Sequence, residues 1–302
     1  MILVVGATGL VGGMITRRLL DQGRTVRILV RAGSDYGTFA DRGAEPSLGD
    51  LKDPDTLPRA LRGVDVVITT ASAGSRGGAD TAQTVDREGN RNLIGAARAA
   101  TVKQFIFVSA LIATVDHPVP VPRAKAETEL TLRGSGLPYT IVAANGIMDV
   151  MLPLVVGDRV QAGQDVTLVG EGRRRHSFVA APDVAAFAVA AVDNSAARDR
   201  RIAVGGPDAV SWRDIVAAYE RAAGRPIAVR WIAPGELLPN LPPVPGLTEL
   251  VSGLLAALET FDSPVDMAET ARTFGVRLTS LDEFVASTFR RLPSTPSAET
   301  VV

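Results

Sequence analysis

The chain has 302 residues, enough for one large domain or two and for a full hydrophobic core. Hydrophobic residues make up 46% and charged residues 22%, an average globular composition that excludes a disordered chain and a coiled coil. Lysine and arginine total 32 against 33 acidic residues, so the net charge of -1 gives no field that attracts nucleic acid or an anionic membrane. The absence of cysteine excludes disulfides, thiolate nucleophiles and iron–sulfur clusters, so redox chemistry would need a bound cofactor.

Neither a metal site nor a targeting segment is indicated. The two histidines, His117 and His176, lie too far apart for a local ligand pair. The first five residues are typical of a buried strand rather than a signal peptide, and no uncharged apolar run reaches the ~18 residues of a spanning helix. We therefore expect a soluble, cytoplasmic protein, a monomer or homodimer, that acts on a small molecule and binds neither nucleic acid nor membrane.

In the first half, short β-branched runs alternate with longer amphipathic segments. This alternation predicts βαβ units and a doubly wound parallel sheet with helices on both faces. The predicted strands are 2–5, 25–30, 45–48, 65–69, 104–109 and 139–143. The predicted helices are 10–22, 53–62, 79–99 and 122–134, where apolar residues recur at intervals of three and four.

Beyond Met148 the pattern changes to that of a smaller, mixed α/β cap that packs on the first half. Strands are predicted at 166–169, 176–179, 201–204 and 227–231, with helices from Pro182 and Ser211. Prolines between 234 and 245 predict a surface loop before a helical C-terminal part. The tail from Pro293 is rich in Ser, Thr and Pro and is predicted to be disordered.

The strongest motif follows the first strand and opens the first long helix. It is a G-x-x-G-x-x-G turn that comprises Gly6, Ala7, Thr8, Gly9, Leu10, Val11 and Gly12. Glycines permit a tight turn and a close approach of backbone to a pyrophosphate, and the helix N-terminus supplies unpaired N–H groups. An ordinary strand-to-helix turn is the alternative, but the surrounding βαβ pattern favours a dinucleotide site.

The second strand ends at the position that selects between NAD and NADP. An acidic residue there holds the ribose 2′-hydroxyl of NAD. This chain has Arg31 instead, followed by Ser34, and a guanidinium is suited to a 2′-phosphate. We therefore predict that NADP is bound in preference to NAD, although a solvated loop arginine is the alternative.

These motifs, together with Gly49-Asp50-Leu51, Phe107-Val108-Ser109, Lys125 and Asp183-Val184-Ala185, occur in an order that resembles a known family. The chain is similar over residues 1–290 to NmrA-like, atypical members of the extended short-chain dehydrogenase/reductase superfamily. The resemblance implies a Rossmann fold. It also implies cofactor contacts, which are Asp50, Leu51, Thr70, Ala71, Ser72 and Asn145. From sequence alone, Asp50 is nearly as plausible as a turn or helix-capping residue.

The catalytic signature of the resemblance is incomplete. Reductases of the superfamily with a Tyr-x-x-x-Lys pair use the tyrosine as proton donor, but four residues before Lys125 stands Val121. Isoflavone-reductase-like members also lack the tyrosine and rely on the lysine, so Lys125 is the implied ribose ligand and a candidate acid or base. The alternative is an exposed lysine that pairs with Glu129 one turn later.

Two further residues are candidates at the end of the fifth strand. Ser109 could orient a carbonyl or bond only to the turn backbone. His117 could donate a proton or lie in a solvated loop. The arginines from 173 to 175 could clamp a carboxylate or form a solvated hairpin face, and Asp183 is expected to cap the helix from Pro182. A substrate pocket is expected from the second half, around Met148, Met151, Leu152 and Trp231, which are equally suited to the core.

The sequence thus predicts an NADP-binding Rossmann domain at 1–150, to which later segments return, a substrate-binding region at 151–292 and a disordered tail at 293–302. The function predicted is an NADP-dependent oxidoreductase that transfers hydride between nicotinamide and a small carbonyl, quinone or enone. One alternative is a non-catalytic NADP(H) sensor that acts through a protein partner. A third is a cofactor-assisted isomerase or lyase.

Overall fold

The computed structural model describes residues 1–74, 78–239 and 241–289. At its centre is a parallel sheet of seven strands, which are β1 (Ile2–Val5), β2 (Val26–Val30), β3 (Glu45–Leu48), β4 (Val66–Thr69), β5 (Gln104–Ala110), β6 (Tyr139–Ala144) and β8 (Arg200–Val204). Strands β7 (Val166–Val169) and β9 (Val229–Ile232) form a separate parallel pair. The predicted doubly wound α/β fold with a smaller mixed cap is therefore confirmed.

The strand order is β3-β2-β1-β4-β5-β6-β8, and it reverses between β1 and β4. Chain segments that leave these two neighbours diverge to opposite sides, which opens a crevice at the carboxyl edge of the sheet. Residues Gly6 and Thr70 follow β1 and β4 there. The predicted phosphate-binding turn thus lies at the reversal point.

Helices cover both faces of the large sheet and build the cap. The α-helices are α1 (Leu10–Asp21), α2 (Gly37–Ala40), α3 (Leu57–Ala60), α4 (Asn90–Ala99), α5 (Pro120–Arg133), α6 (Met148–Leu152), α7 (Asp158–Gln161), α8 (Ala181–Ala190), α9 (Trp212–Ala223), α10 (Leu247–Leu258), α11 (Ala268–Phe274) and α12 (Leu281–Thr288). Short 3₁₀ segments occur at Pro54–Thr56 and Ser195–Ala197, and π-helical segments at Ala82–Gly89 and Pro153–Gly157. Within the described ranges, no helix is both long and apolar enough to cross a membrane.

The core divides at the sheet because side chains alternate between its faces. On β1, Ile2 and Val4 join the cluster under α1 and α8, whereas Leu3 and Val5 join the cluster under α3, α4 and α5. A third cluster, centred on Trp212, fills the cap. The first-half strand predictions lie within one residue of the observed strands. Burial on both faces explains this for every one of these strands except β3, which is exposed at three of its four residues.

Three segment predictions differ from the structure. Residues 176–179 form isolated bridges rather than a strand, because the Phe178 N–H bonds to the His176 carbonyl at 2.9 Å and folds the chain back. The helix predicted at 53–62 is reduced to a 3₁₀ turn and one turn of α3, where Pro58 lacks the N–H that would continue it. The helix predicted at 79–99 begins at Ala82 and is π-helical as far as Gly89.

The later segments complete the large sheet and its cover. β8 pairs with β6, and α8 packs against α1. The expectation that Asp183 caps α8 is wrong, because its carboxylate accepts hydrogen bonds from the backbone N–H and hydroxyl of Thr279. The N-terminus of α8 is bonded instead by Asp149, whose carboxylate accepts from the Ala181 N–H at 2.6 Å. The predicted disordered tail, 293–302, lies outside the described residues.

Candidate cofactor groove and active site

The glycine turn is closed so tightly that only glycine fits. Gly6 has φ +84°, and the Gly9 N–H donates to its carbonyl at 2.9 Å. A Cβ at Gly12 would lie 2.0 Å from the same carbonyl oxygen. Gly9 is the N-cap of α1, which has no side-chain cap and no acidic residue in its first turn. The positive end of this helix is therefore suited to a phosphate.

A groove runs from this turn across the ends of β1, β2 and β4. It is lined by Val5, Gly6, Thr8, Leu29, Val30, Arg31, Ser34, Gly49, Asp50, Leu51, Ala71, Ser72, Asp80 and Val85. Most of the predicted cofactor residues are thus brought together. Gly9, Leu10, Val11 and Gly12 begin α1 beside it. Thr70 lies beneath the turn, with its hydroxyl 3.4 Å from the Val5 carbonyl oxygen.

The Arg31 end of the groove contains a charge cluster. Arg31 Nη1 lies 2.7 Å from one carboxylate oxygen of Asp80, and Lys52 Nζ lies 2.6 Å from the other. Burial raises the pKa of Asp80, but the hydrogen bonds from Lys52 and Arg31 outweigh it and hold this pKa below its usual value. Asp50 lines the groove and also accepts from the Lys52 N–H at 2.9 Å, so the turn role considered for it is observed. The guanidinium of Arg31 is therefore held at the groove wall.

Lys125 is largely buried on α5, with its side chain only 12% exposed. Its Nζ donates to the Val108 carbonyl at 3.0 Å and lies 5.2 Å from the centre of the Phe107 ring. The nearest carboxylate oxygen is Asp86 Oδ1, at 4.0 Å. Burial lowers the pKa of Lys125, while Asp86 and then Glu129 oppose that change. The alternative of an exposed lysine paired with Glu129 is wrong.

Asp86, on the π-helical segment before α4, is a residue that the sequence patterns did not single out. Its side chain is fully buried, and Oδ2 accepts from the Ala73 N–H at 2.9 Å. Oδ1 has no hydrogen-bond partner among the described residues. Burial raises the pKa of Asp86, and Lys125 opposes that rise. The detectable signal was a carboxylate on the buried face that continues as Asn90, Leu93 and Ala97.

Ser109 and His117 have different surroundings from those predicted. The Ser109 hydroxyl donates to Glu129 Oε1 at 2.6 Å, and Glu129 also accepts from Arg201 Nε at 2.9 Å. His117 is buried rather than solvated, and its Nδ1 accepts from the Val119 N–H at 3.0 Å. Burial lowers the pKa of His117, so the imidazole is favoured in its neutral form. Both side chains are engaged within the protein.

Asn145 connects β6 to the C-terminal part. Its Nδ2 donates to the carbonyl and hydroxyl oxygens of Ser263, at 3.0 and 3.1 Å. Its Oδ1 accepts from the Gly146 N–H at 2.9 Å. His176 Nδ1 lies 2.7 Å from the same Ser263 hydroxyl. The amide N–H groups of Asn145 thus link the end of β6 to Ser263, 118 residues away in the sequence.

A cleft of about 800 Å³ adjoins the groove, with which it shares Asp80. Its described lining consists of Ala73, Gly74, Gly78, Asp80, Thr81, Ala82, Pro118, Val119, Pro120, Val121, Val244, Pro245, Gly246, Glu249, Leu250, Gly253, Ala256, Ala257 and Thr260. Met148, Met151 and Leu152 belong to the cap core, the alternative considered for them, and Trp231 packs against that core. The arginines from 173 to 175 pair with Glu171, Asp262 and Asp214 at the surface.

Comparison with known proteins places the chain in a family. A sequence model described as the NmrA-like family matches residues 1–285. The chain belongs to the NmrA-like family. The fold is shared with the crystal structure of an NADPH-dependent quinone oxidoreductase from Escherichia coli in complex with NADPH. That structure is 21% identical, covers 95% of this chain and 99% of its own, and has a TM-score of 0.79.

Curated relatives of this NmrA-like protein differ in their described roles. An NAD(P)H azoreductase from Xenophilus azovorans is 34% identical over 234 residues, which is 77% of each chain. The photosystem II assembly factor Ycf39 from Synechocystis sp. is 33% identical over 229 residues, which is 74% of this chain and 68% of the relative. The relatives of this chain therefore include both a reductase and an assembly factor.

Proposed function

We propose that this protein is an NADPH-dependent reductase that moves hydride to a small carbonyl, quinone or enone. The observation that carries the proposal is one edge of the sheet, which carries a glycine-lined groove, an adjoining cleft and, at the end of β5, the largely buried Lys125. The groove supplies the dinucleotide site and the cleft a place for the acceptor. The similarity to an azoreductase supports a reductive reaction.

The residues of the groove fit NADP. A side chain at Gly12 would fill the space of the turn, and the uncapped start of α1 faces it, so the pyrophosphate would be held there. Arg31 and Ser34, at the other end, would hold the 2′-phosphate. When bound, the nicotinamide supplies the hydride. The protein contributes orientation and charge.

Lys125 is the group proposed to supply the proton. Val121, which lines the cleft one turn earlier on α5, has no titratable atom. Lys125 Nζ carries three protons in its ammonium form and uses one of them on the Val108 carbonyl. Another is then available to the acceptor oxygen once negative charge develops there.

The cofactor assignment is tested by the dissociation constants of NADPH and NADH. We expect Arg31→Ala to weaken NADPH binding about 10- to 100-fold, the value of one charge-assisted hydrogen bond, and to leave NADH binding nearly unchanged. Arg42→Ala, which removes an exposed arginine paired with Asp21, serves as the matched control. An Arg31 variant that retains its preference for NADPH refutes the assignment.

Turnover separates the two candidate functions. The similarity to an assembly factor and the valine at 121 favour the second candidate, a protein that binds NADP(H) and acts through a partner. The reductase proposal expects loss of NADPH absorbance with at least one quinone, enone or azo compound, and loss of that activity in Lys125→Met. Tight NADPH binding with no oxidation across the panel supports the second candidate.

A further inference from the structure

The carboxylate of Asp86 lies between the groove and Lys125. On one side its Oδ2 accepts from the Ala73 N–H at 2.9 Å, in the loop that follows β4, where the neighbouring Ser72 hydroxyl opposes the rise in the pKa of Asp86. Ser72 lines the cofactor groove. On the other side, Asp86 Oδ1 faces Lys125 Nζ across 4.0 Å. A single buried side chain thus joins the groove wall to the proposed proton donor.

Hydrogen bonds to the backbone carbonyl of Asp86 fix its position. The Thr128 hydroxyl on α5 donates to the Asp86 carbonyl at 2.7 Å, and Asn90 Nδ2 donates to the same oxygen at 3.0 Å. The π-helical segment that contains Asp86 begins with a capping box between Thr81 and Thr84. Groups that are held from two sides by packed helices keep a defined geometry. The approach of Asp86 to Lys125 is therefore built into the fold.

Of the two carboxylates that act on Lys125, Asp86 has fewer other cations and hydrogen-bond donors around it. Of the charged groups that face Lys125 in the described residues, Glu129 lies on α5 itself and Asp86 comes from the segment packed against it. Glu129 already pairs with Arg201 and Arg133 and accepts from Ser109. Across the described part of the chain, no donor forms a hydrogen bond to Asp86 Oδ1. A buried carboxylate has a strong effect on a nearby amine because little water screens it.

We infer that Asp86 is a positioning residue whose negative charge holds Lys125 in the ammonium form and keeps Nζ at the end of β5. The inference deepens the proposed function, on which it depends for the role of Lys125 as proton donor. The charge coupling itself is independent of any turnover. Asp86 does not contact the acceptor in this arrangement and acts only through Lys125.

The chain offers a direct measurement because it contains only three lysines, Lys52, Lys103 and Lys125. Protein labelled with ¹³C at the lysine ε-carbon gives three signals. The signal that is missing from the spectrum of Lys125→Arg is that of Lys125. We expect Asp86→Asn, which preserves shape and the acceptor for Ala73, to lower the pKa of Lys125 by about one unit or more. Glu88→Gln, on the same segment but half-buried and bonded to Gln83, is the control and leaves that pKa unchanged. A Lys125 titration identical in wild type and Asp86→Asn overturns the inference.

The wild-type protein provides a second measurement if Asp86→Asn does not fold. As pH falls, the Lys125 signal is expected to shift when Asp86 gains a proton, at a higher pH than the signals of Lys52 and Lys103. Hydrogen bonds from Lys103 and the N-terminus lower the pKa of Asp65, the partner of Lys103, to about 2, and the pKa of Asp80, the partner of Lys52, is also lowered. A Lys125 signal that shows no acidic step, or follows the other two, contradicts the inference.

The pH dependence of turnover separates this inference from the proposed function. Where protonated Lys125 is required, activity falls as pH rises through its pKa, so Asp86→Asn is expected to move the alkaline limb of kcat/KM to lower pH by the shift measured by NMR. An NMR shift without turnover supports the coupling and refutes the reductase. Turnover whose alkaline limb is unmoved in Asp86→Asn refutes the coupling and leaves the reductase intact.

Discussion

Gly12 lies where α1 passes closest to the glycine turn. An added Cβ would stand 2.0 Å from the carbonyl oxygen of Gly6, 2.6 Å from its carbonyl carbon and 2.8 Å from Thr70 Oγ1. Since Cβ contacts below 3.0 Å are essentially never observed and two of these atoms are backbone, rotation of a side chain cannot relieve the clash. The helix and the turn must separate by roughly 1 Å, and we expect Gly12→Ala to lower the free energy of unfolding by about 1–3 kcal/mol.

The same separation displaces the start of α1 from the groove, so NADPH binding should weaken as well. Urea unfolding followed by circular dichroism and a fluorescence titration with NADPH measure the two effects. Gly95→Ala is the matched control, since Gly95 lies in α4, where an added methyl group would meet no described atom within 4 Å. Its free energy of unfolding should rise by about 0.5–1 kcal/mol because alanine favours a helix more than glycine does. A Gly12→Ala protein that is as stable as wild type and binds NADPH equally well would refute the reasoning about the turn.

Two further predictions concern buried polar groups. Glu129→Ala leaves Arg201 without its carboxylate, and we expect it to lower the free energy of unfolding in urea by about 3 kcal/mol. Arg133→Ala removes the exposed partner of the same glutamate and should lower it by less than about 0.5 kcal/mol. Equal losses in the two variants would contradict this prediction. Burial lowers the pKa of His176, whose Nε2 donates to the Leu258 carbonyl in the neutral form. Below about pH 6.5 the unfolded chain therefore binds more protons, so stability should fall from pH 7 to pH 5, and less steeply in His176→Gln. An unchanged slope would exclude His176 as the cause.

Most strands of the first half could be predicted because they are buried on both faces and are largely apolar; β3, exposed at three of its four residues, is the exception. The segment 176–179 was predicted as a strand, but the chain folds back at Phe178 and His176 forms isolated bridges with Val210 and Ser263. Those partners are distant in the sequence, so no local pattern reveals them. The short α3 is a different case, since Pro58 was visible in the sequence and marks where the helix could not be continuous.

In the candidate site, too, some features could be predicted from the sequence and others could not. The glycine turn could be predicted because its spacing reflects local geometry, and most of the predicted groove residues do line one groove. The partners of Ser109 and Asn145 could not, since Glu129 and Ser263 are supplied by α5 and by a segment 118 residues away. A hydroxyl or amide at a strand end indicates a ligand contact or a tertiary contact equally well until the fold is known.

The choice of lysine at position 125 gains a physical meaning from its surroundings. Arginine is the usual cation of this chain, and a guanidinium does not release its proton in proteins. Lys125 is buried beside a carboxylate that is itself buried, so the two groups oppose each other's loss of charge. An amine held in this balance can give up a proton when negative charge develops nearby and regain it afterwards. An arginine at the same place would preserve the ion pair but not that exchange.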